Sequence, residues 1–294
     1  MRIILVVFAL IAVSSGYVNV TRGYHEAIGI PSAARIKAAE EALADISKRS
    51  DAGRIVGGSV APINSHPYLA GLVITLINVA GNSACGSSLV TANRLVTAAH
   101  CWFDGWNQGI QFIVVLGSSQ LFTGGTRIPT STVITHPNWT PSTLANDVAI
   151  IYLPQNVAFS ASILPISLPS SLDLLQTFAG EWGVAAGYGK TNDAQAGVSI
   201  NAVVSHVNVQ VITVAQCQAT FGAVFVQAST ICTNGAGGVG ICGGDSGGPL
   251  IVHRNGVPIL IGISSFVANL GCQLGFPSAY ARVTSFFNFI VQHL

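Results

Sequence analysis

Charge is what this chain has least of. Only 8% of its 294 residues are Asp, Glu, Lys or Arg, and the formal net charge is +1. A balance this close to neutral leaves no electrostatic footprint for nucleic acid or an anionic membrane surface. Beyond Arg54 the scarcity deepens: five basic residues (Arg94, Arg127, Lys190, Arg254, Arg282) and six acidic ones serve all of residues 55–294. The surface there is left to Ser, Thr, Asn, Gln and Gly, and so few Lys and Arg predict resistance to proteases that cut after basic residues. No apolar run past the N-terminus is long enough to span a bilayer. No cysteine precedes Cys85, and no two of the six have CxxC spacing. That spacing argues against a zinc site as the role of the cysteines.

What is present is apolar. Half the residues are hydrophobic, enough for a large core in one or two domains. Arg2, the apolar stretch Ile3 to Val13 and the small residues Ser14-Ser15-Gly16 predict a secretory signal peptide over residues 1–16. Secretion permits disulfides. Most of the chain's basic residues then fall before Ile55. Within that stretch Ser32 to Ser47 has helical character: seven alanines and leucines, Ser32 to cap, and Lys37 and Glu41 at i,i+4 spacing. Such a helix is marginal alone.

From Ile55 the pattern is β. Short β-branched runs such as Tyr68 to Ile77, Ser87 to Val90, Arg94 to Thr97, Gln111 to Leu116 and Val148 to Leu153 are separated by Gly, Asn, Pro or Ser. The Pro-bearing connector Ile163 to Ser171 predicts a boundary between two barrels near 163–175. A second set follows around Glu181 to Ala186, Ile200 to Ile212, Thr230 to Cys232, Pro249 to His253 and Ile259 to Ser264. Ser285 to His293 reads as a terminal helix with Thr284 as cap. Asn19-Val20-Thr21 and Asn138-Trp139-Thr140 fit glycosylation acceptors.

The chemistry concentrates in Cys242-Gly243-Gly244-Asp245-Ser246-Gly247-Gly248-Pro249-Leu250. A serine hydroxyl is a poor nucleophile unless a base sits beside it and donors await the oxyanion it creates. The four glycines allow a tight turn and let a substrate carbonyl approach the amides of Gly244 and Ser246. Asp245 is out of place among apolar neighbours unless a cation meets it. This stretch resembles the nucleophile loop of the chymotrypsin family of serine proteases. Thr97-Ala98-Ala99-His100-Cys101 resembles its histidine segment, and Asn146-Asp147-Val148-Ala149-Ile150 its aspartate segment. The order His, Asp, Ser is that family's and differs from the subtilisin and α/β-hydrolase orders.

The resemblance runs from Ile55 to the C-terminus and is greatest to the chymotrypsin- and elastase-like digestive proteases of insects. It implies two six-stranded antiparallel barrels with a short C-terminal helix. It implies an acyl-enzyme mechanism in which Ser246 attacks, His100 is the base and Asp147 orients it, with Ser265 bonded to the aspartate and the Gly244 and Ser246 amides as oxyanion hole. Arg54-Ile55-Val56-Gly57-Gly58 resembles the family's activation junction, so residues 17–54 become a propeptide. The new Ile55 ammonium would pair with Asp245. Among fifteen possible pairings the resemblance selects Cys85 with Cys101, Cys217 with Cys232, and Cys242 with Cys272. At the pocket it places Gly240, Ser265, Val267 and Ser278. Gly240 stands where a trypsin-like enzyme carries Asp, which implies apolar P1 residues, and Val267 and Ser278 stand where an open pocket has glycine. The segment 112–128, where some trypsins bind calcium, has no Asp or Glu, so no metal or other cofactor is expected. Expected partners are polypeptide substrates, an activating trypsin-like protease and protein inhibitors, for a secreted monomer acting in extracellular digestion, such as a gut lumen. A catalytically inactive binding homologue and an immune or developmental cascade protease are the competing readings.

Overall fold

The structure is a computed structural model and describes residues 16–46, 59–62, 64–191, 193 and 204–294. The expected signal peptide (but for Gly16) and the Arg54 to Gly58 junction lie outside the described residues.

The chain opens with a helical turn, His25–Gly29, that runs into helix α1 (Ile30–Ile46); the helix begins two residues before the expected start. After the two-residue strand β1 (Ser59–Val60) come β2 (Leu69–Leu76), β3 (Asn82–Thr91), β4 (Arg94–Thr97), β5 (Gly109–Leu116), β6 (Thr126–Thr130), β7 (Val133–Thr135) and β8 (Ala149–Tyr152). β2 to β8 form one antiparallel sheet in the order β6-β5-β2-β3-β4-β8-β7. Period-2 alternation explains its two faces. On β2, Ala70, Leu72, Ile74 and Leu76 point into one core, while Leu69 and Val73 face outward and are equally buried. The cover on that outer face is α1, whose Ala33, Ile36 and Ala39 form a stripe packed against them.

The second sheet contains β9 (Trp182–Gly187), β10 (Ser205–Ile212), β11 (Thr230–Thr233), β12 (Pro249–Arg254), β13 (Val257–Phe266) and β14 (Ser278–Arg282), with helix α2 (Val214–Phe221) between β10 and β11. Its order is β1-β10-β11-β14-β13-β12-β9, and β9 pairs back onto β10 from Gly187↔Ser205 to Trp182↔Gln210. Six strands therefore close into a ring, with β1 added outside.

The expectation of two six-stranded barrels needs correction for the first sheet. It has seven strands and no ladder closes it. The segment Thr126 to Thr135 breaks at Ser131-Thr132 into β6 and β7, one pairing with β5 and the other with β8. Pro129, with no N–H to donate, sits just before the break. At the break Thr130 Oγ1 donates to the Tyr152 carbonyl at 2.6 Å and Tyr152 N donates to Thr132 O at 2.9 Å. One bent segment thus belongs to both edges of a half-barrel.

Two helices differ from expectation at their ends. The C-terminal one is a single short 3-10 turn, Val283–Phe286, followed by α3 (Phe287–Val291), and Thr284 caps neither. Helix α2 went unread although Thr213 and Gln216 form a reciprocal capping box, with Gln216 N donating to Thr213 Oγ1 at 3.2 Å. Disulfides join Cys85 to Cys101, Cys217 to Cys232 and Cys242 to Cys272, with Cα separations of 6.3, 6.3 and 5.5 Å. No helix among the described residues is long and apolar enough to cross a membrane.

Candidate active site

His100 lies in a 3-10 turn, Ala99–Cys101, directly after β4, and the disulfide to Cys85 on β3 fixes its far end. Its backbone N–H donates to Asp147 Oδ1 at 2.9 Å, and its Nδ1 faces Asp147 Oδ2 at 2.7 Å. Both residues are buried. Asp147 reaches this position because Asn146 adopts a left-handed conformation, φ 61°, which its short polar side chain tolerates. A third group meets the same carboxylate: Ser265 Oγ donates to Asp147 Oδ2 at 2.6 Å. The pairing of β13 with β14 shifts register between Ser264 and Phe266, and such a bulge re-aims a side chain out of the regular alternation.

Ser246 sits in the turn leading into β12. Asp245 N donates to Cys242 O at 3.0 Å and Gly248 N to Asp245 O at 2.9 Å. Gly244 (φ 106°) and Gly247 (φ 79°) hold conformations that a side chain would strain. Ser246 O accepts from Gly86 N at 2.7 Å, and Gly247 N donates to Ser264 O at 2.8 Å, so this loop ties β3 of one sheet to β13 of the other. The site is built where the two sheets meet.

Asp245 is half-buried. Its Oδ2 accepts from Cys242 N at 2.9 Å and its Oδ1 from Gly189 N at 2.8 Å. Burial pushes its pKa up, while those two amides and the Arg35 guanidinium pull it back. The cation that acts on Asp245 here is Arg35 of α1, through space and without a hydrogen bond between them; the expected partner, Ile55, lies outside the described residues.

The cavity beside Ser246 and His100 is walled by Ile241, Cys242, Gly243, Ser265, Phe266 and Val267. Two of the four expected pocket residues, Ser265 and Val267, line it. Gly240 and Ser278 contact each other beside it, with Ser278 Oγ accepting from Ile241 N at 3.2 Å. Ile241 is a wall that sequence reasoning missed.

A second omission is larger. The same cavity is lined by Thr21, Arg22, Gly23, Tyr24 and Ile28, all from the N-terminal segment, and only about 40 Å³ is left open. That is room for a few water molecules and no side chain. The Tyr24 ring lies 4.5 Å from that of His100, its phenol donates to the Ala84 carbonyl at 2.6 Å, and the Ser246 hydroxyl faces the same phenol oxygen. His100 Nε2 is buried with no hydrogen-bond partner. The bond from Ser246 to His100 that nucleophile activation needs is not made.

Three further histidines have side-chain partners of their own. His66 bonds His206 at 2.7 Å and the Tyr68 phenol at 3.0 Å, and His136 packs edge-on against Phe286 and Phe289. His25, not singled out from sequence, is buried with its Nδ1 2.8 Å from Ser83 Oγ. Two clusters group potential metal ligands among the described residues, Cys85 with His100 and Cys101, and Asp193 with Cys242 and Cys272. In each, the two sulfurs are bonded to one another and offer no thiolate.

Comparison with known proteins agrees with this geometry. The family profile described as Trypsin matches residues 55–290. A collagenase from Hypoderma lineatum is 34% identical over 241 residues, covering 82% of this chain and 87% of that protein. Brachyurin from Leptuca pugilator is 35% identical, covering 80% and 96% respectively. The solved structure of HL collagenase superposes with a TM-score of 0.73 at 33% identity, covering 81% of this chain and 98% of that one. From residue 55 onward, the chain belongs to the trypsin family of serine proteases.

Proposed function

We propose that the protein is a secreted serine endopeptidase, made as an inactive precursor, cut after Arg54 and specific for apolar P1 residues. The observation that carries the reading is the chain of contacts from Ser265 through Asp147 to His100, at 2.6 and 2.7 Å, ending beside Ser246. In this mechanism Ser246 Oγ attacks the carbonyl carbon of the scissile bond while His100 Nε2 takes its proton and then delivers it to the leaving amine. Asp147 holds the tautomer of His100 and stabilises its protonated form. The amides of Gly244 and Ser246 receive the oxyanion, each such donor contributing about a hundredfold or more in rate.

An apolar P1 preference is supported by the uncharged Gly240 and by walls of Ile241, Phe266 and Val267. Three disulfides support an extracellular setting. Digestion of protein is supported by a relative bearing the name collagenase and by the few basic residues beyond Arg54. The test is to cut the precursor after Arg54, remove residues 1–54, and measure hydrolysis of peptide amides that differ only at P1, from Arg through Phe and Leu to Ala. Rapid turnover of Phe or Leu, lost in Ser246→Ala, is expected. Preference for Ala would make Val267 an elastase-like wall, preference for Arg would overturn the pocket reading, and no turnover at all would make the chain an inactive homologue.

A further inference from the structure

The active-site cleft is occupied by the chain's own N-terminal segment. Residues 18–20 are held through their backbone: Val18 N donates to Thr220 O on α2 at 2.9 Å, Val20 forms an isolated antiparallel bridge with Ala268, and Asn269 N donates to Asn19 O at 3.0 Å. The backbone then turns helical at Tyr24 (φ −51°, ψ −45°), so a side chain enters the site instead of an extended peptide bond. Tyr24 lies against both His100 and Ser246. Ile28 and Ser32 continue over Gly243 and Gly244, where Ile28 Cγ2 lies 3.0 Å from the place a Gly243 Cβ would take.

The grip extends well past the site. Ile36 and Ala39 are fully buried against the outer face of the first sheet. Glu40, also buried, accepts from Leu121 N at 2.5 Å, from Phe122 N at 3.0 Å and from Thr123 Oγ1 at 3.1 Å. Hydrogen bonds to an ionised carboxylate are about twice as strong as neutral ones. Arg35 brings its charge to Asp245. None of residues 1–54 is a cysteine, so the attachment is wholly non-covalent. Every one of these contacts lies before residue 47, and a cut after Arg54 removes none of them.

We propose that residues 17–46 remain bound in the cleft as a non-covalent inhibitor after the chain is cut at Arg54, so that departure of this segment, and not the cut alone, opens the site. The inference rests on the precursor reading above, but its first readout is binding. Cleavage loses only the tether, which lowers the segment's effective concentration without touching its contacts. The bound segment also keeps Arg35 near Asp245, in competition with the new ammonium of Ile55.

The experiment uses the whole secreted precursor carrying Ser50→Asp, Ala52→Asp, Gly53→Asp and Arg54→Lys, which with Asp51 makes an enteropeptidase site and spares Arg22, Arg35 and Lys37. After the cut, gel filtration with mass spectrometry reports whether the segment elutes with residues 55–294. Co-elution is expected, with turnover of a peptide amide low until the segment is washed away. Tyr24→Ala and Glu40→Gln should each speed its loss about tenfold or more. Prompt separation after the cut, with full turnover at once, overturns the proposal. Co-elution followed by no turnover in the washed protein supports the complex and instead refutes the protease reading.

Discussion

Ser265 and His100 compete for one oxygen. Both meet Oδ2 of Asp147, at 2.6 and 2.7 Å, while Oδ1 is taken by the His100 amide. The carboxylate is thus held at three points and cannot rotate without breaking a bond to a charged group, each worth about 1.5–3 kcal/mol. Ser265→Ala should release one point and loosen His100. The expected result in the washed, activated protein is a fall in kcat of about ten- to a hundredfold with KM little changed, as befits a positioning residue. Rescue by Ser265→Thr, which restores a hydroxyl, distinguishes this from loss of folding.

How much of this was legible beforehand depends on range. His100, Asp147 and Ser246 stand in contiguous motifs, and the cysteine pairing came with the family they point to. Most strand positions could be read because turns bound short β-branched runs. The leader's placement could not be read, since Tyr24, Glu40 and Arg35 have local sequence suited to any solvated helix and gain their meaning from partners 60 or more residues away, such as Ala84 at a separation of 60 and Leu121 at 81. Ser265 was named from resemblance, yet the bulge that aims it is a property of the ladder. Thr213 with Gln216 was readable as a capping box and was overlooked.

Asp245→Asn tests the switch. In the uncut chain the carboxylate accepts from the amides of Cys242 and Gly189, and Arg35 favours its charged form. Under the proposed pairing with Ile55, an asparagine there attracts no ammonium and the loop carrying the Gly244 amide loses its anchor. The variant should be cut normally, with a new N-terminus at Ile55 by sequencing, and yet show a fall in kcat of about a hundredfold or more, as expected when oxyanion donors are misplaced.

Val267 is on the cavity wall. Val267→Gly should widen the slot and raise kcat/KM for Phe relative to Ala at P1 by roughly ten- to two-hundredfold, the range for a few buried methylenes. An unchanged ratio would move the specificity wall to Ile241.

Of the five basic residues beyond Arg54, Arg94, Arg254 and Arg282 are tied down through their side chains. Arg94 stacks 3.9 Å from the Tyr152 ring, Arg254 pairs with Glu181 at 2.7 Å and Asp173 at 3.1 Å, and the largely buried Arg282 donates to the carbonyls of Ala228, Thr177 and Thr230. Cleavage needs a locally opened chain. Prolonged trypsin treatment of the folded protein should therefore leave residues 55–294 intact on a denaturing gel, whereas rapid fragmentation would remove this account of the scarce Lys and Arg.

His25 makes the hold of the leader depend on pH. Burial pushes its pKa from the ordinary 6.5 down to about 4, a shift that Asp104 opposes and His100 reinforces. A lowered base is neutral when bound, so binding is unaffected above pH 6.5 and weakens as pH falls from there toward 4, by up to about tenfold per pH unit. Glu40 acts with the opposite sign: burial raises its pKa, so it favours the bound state on the acid side, and its amide donors reduce that effect. The His25 ring is wholly buried with one nitrogen unpartnered, whereas Glu40 keeps three donors around its carboxylate. After the cut at residue 54, the leader should therefore leave faster at pH 5 than at pH 7.5. In His25→Gln, which keeps a polar group near Ser83 but cannot take up a proton, the acceleration should disappear or reverse as Glu40 is left to act alone. Release that is equally pH-dependent in both proteins would assign the effect to another group.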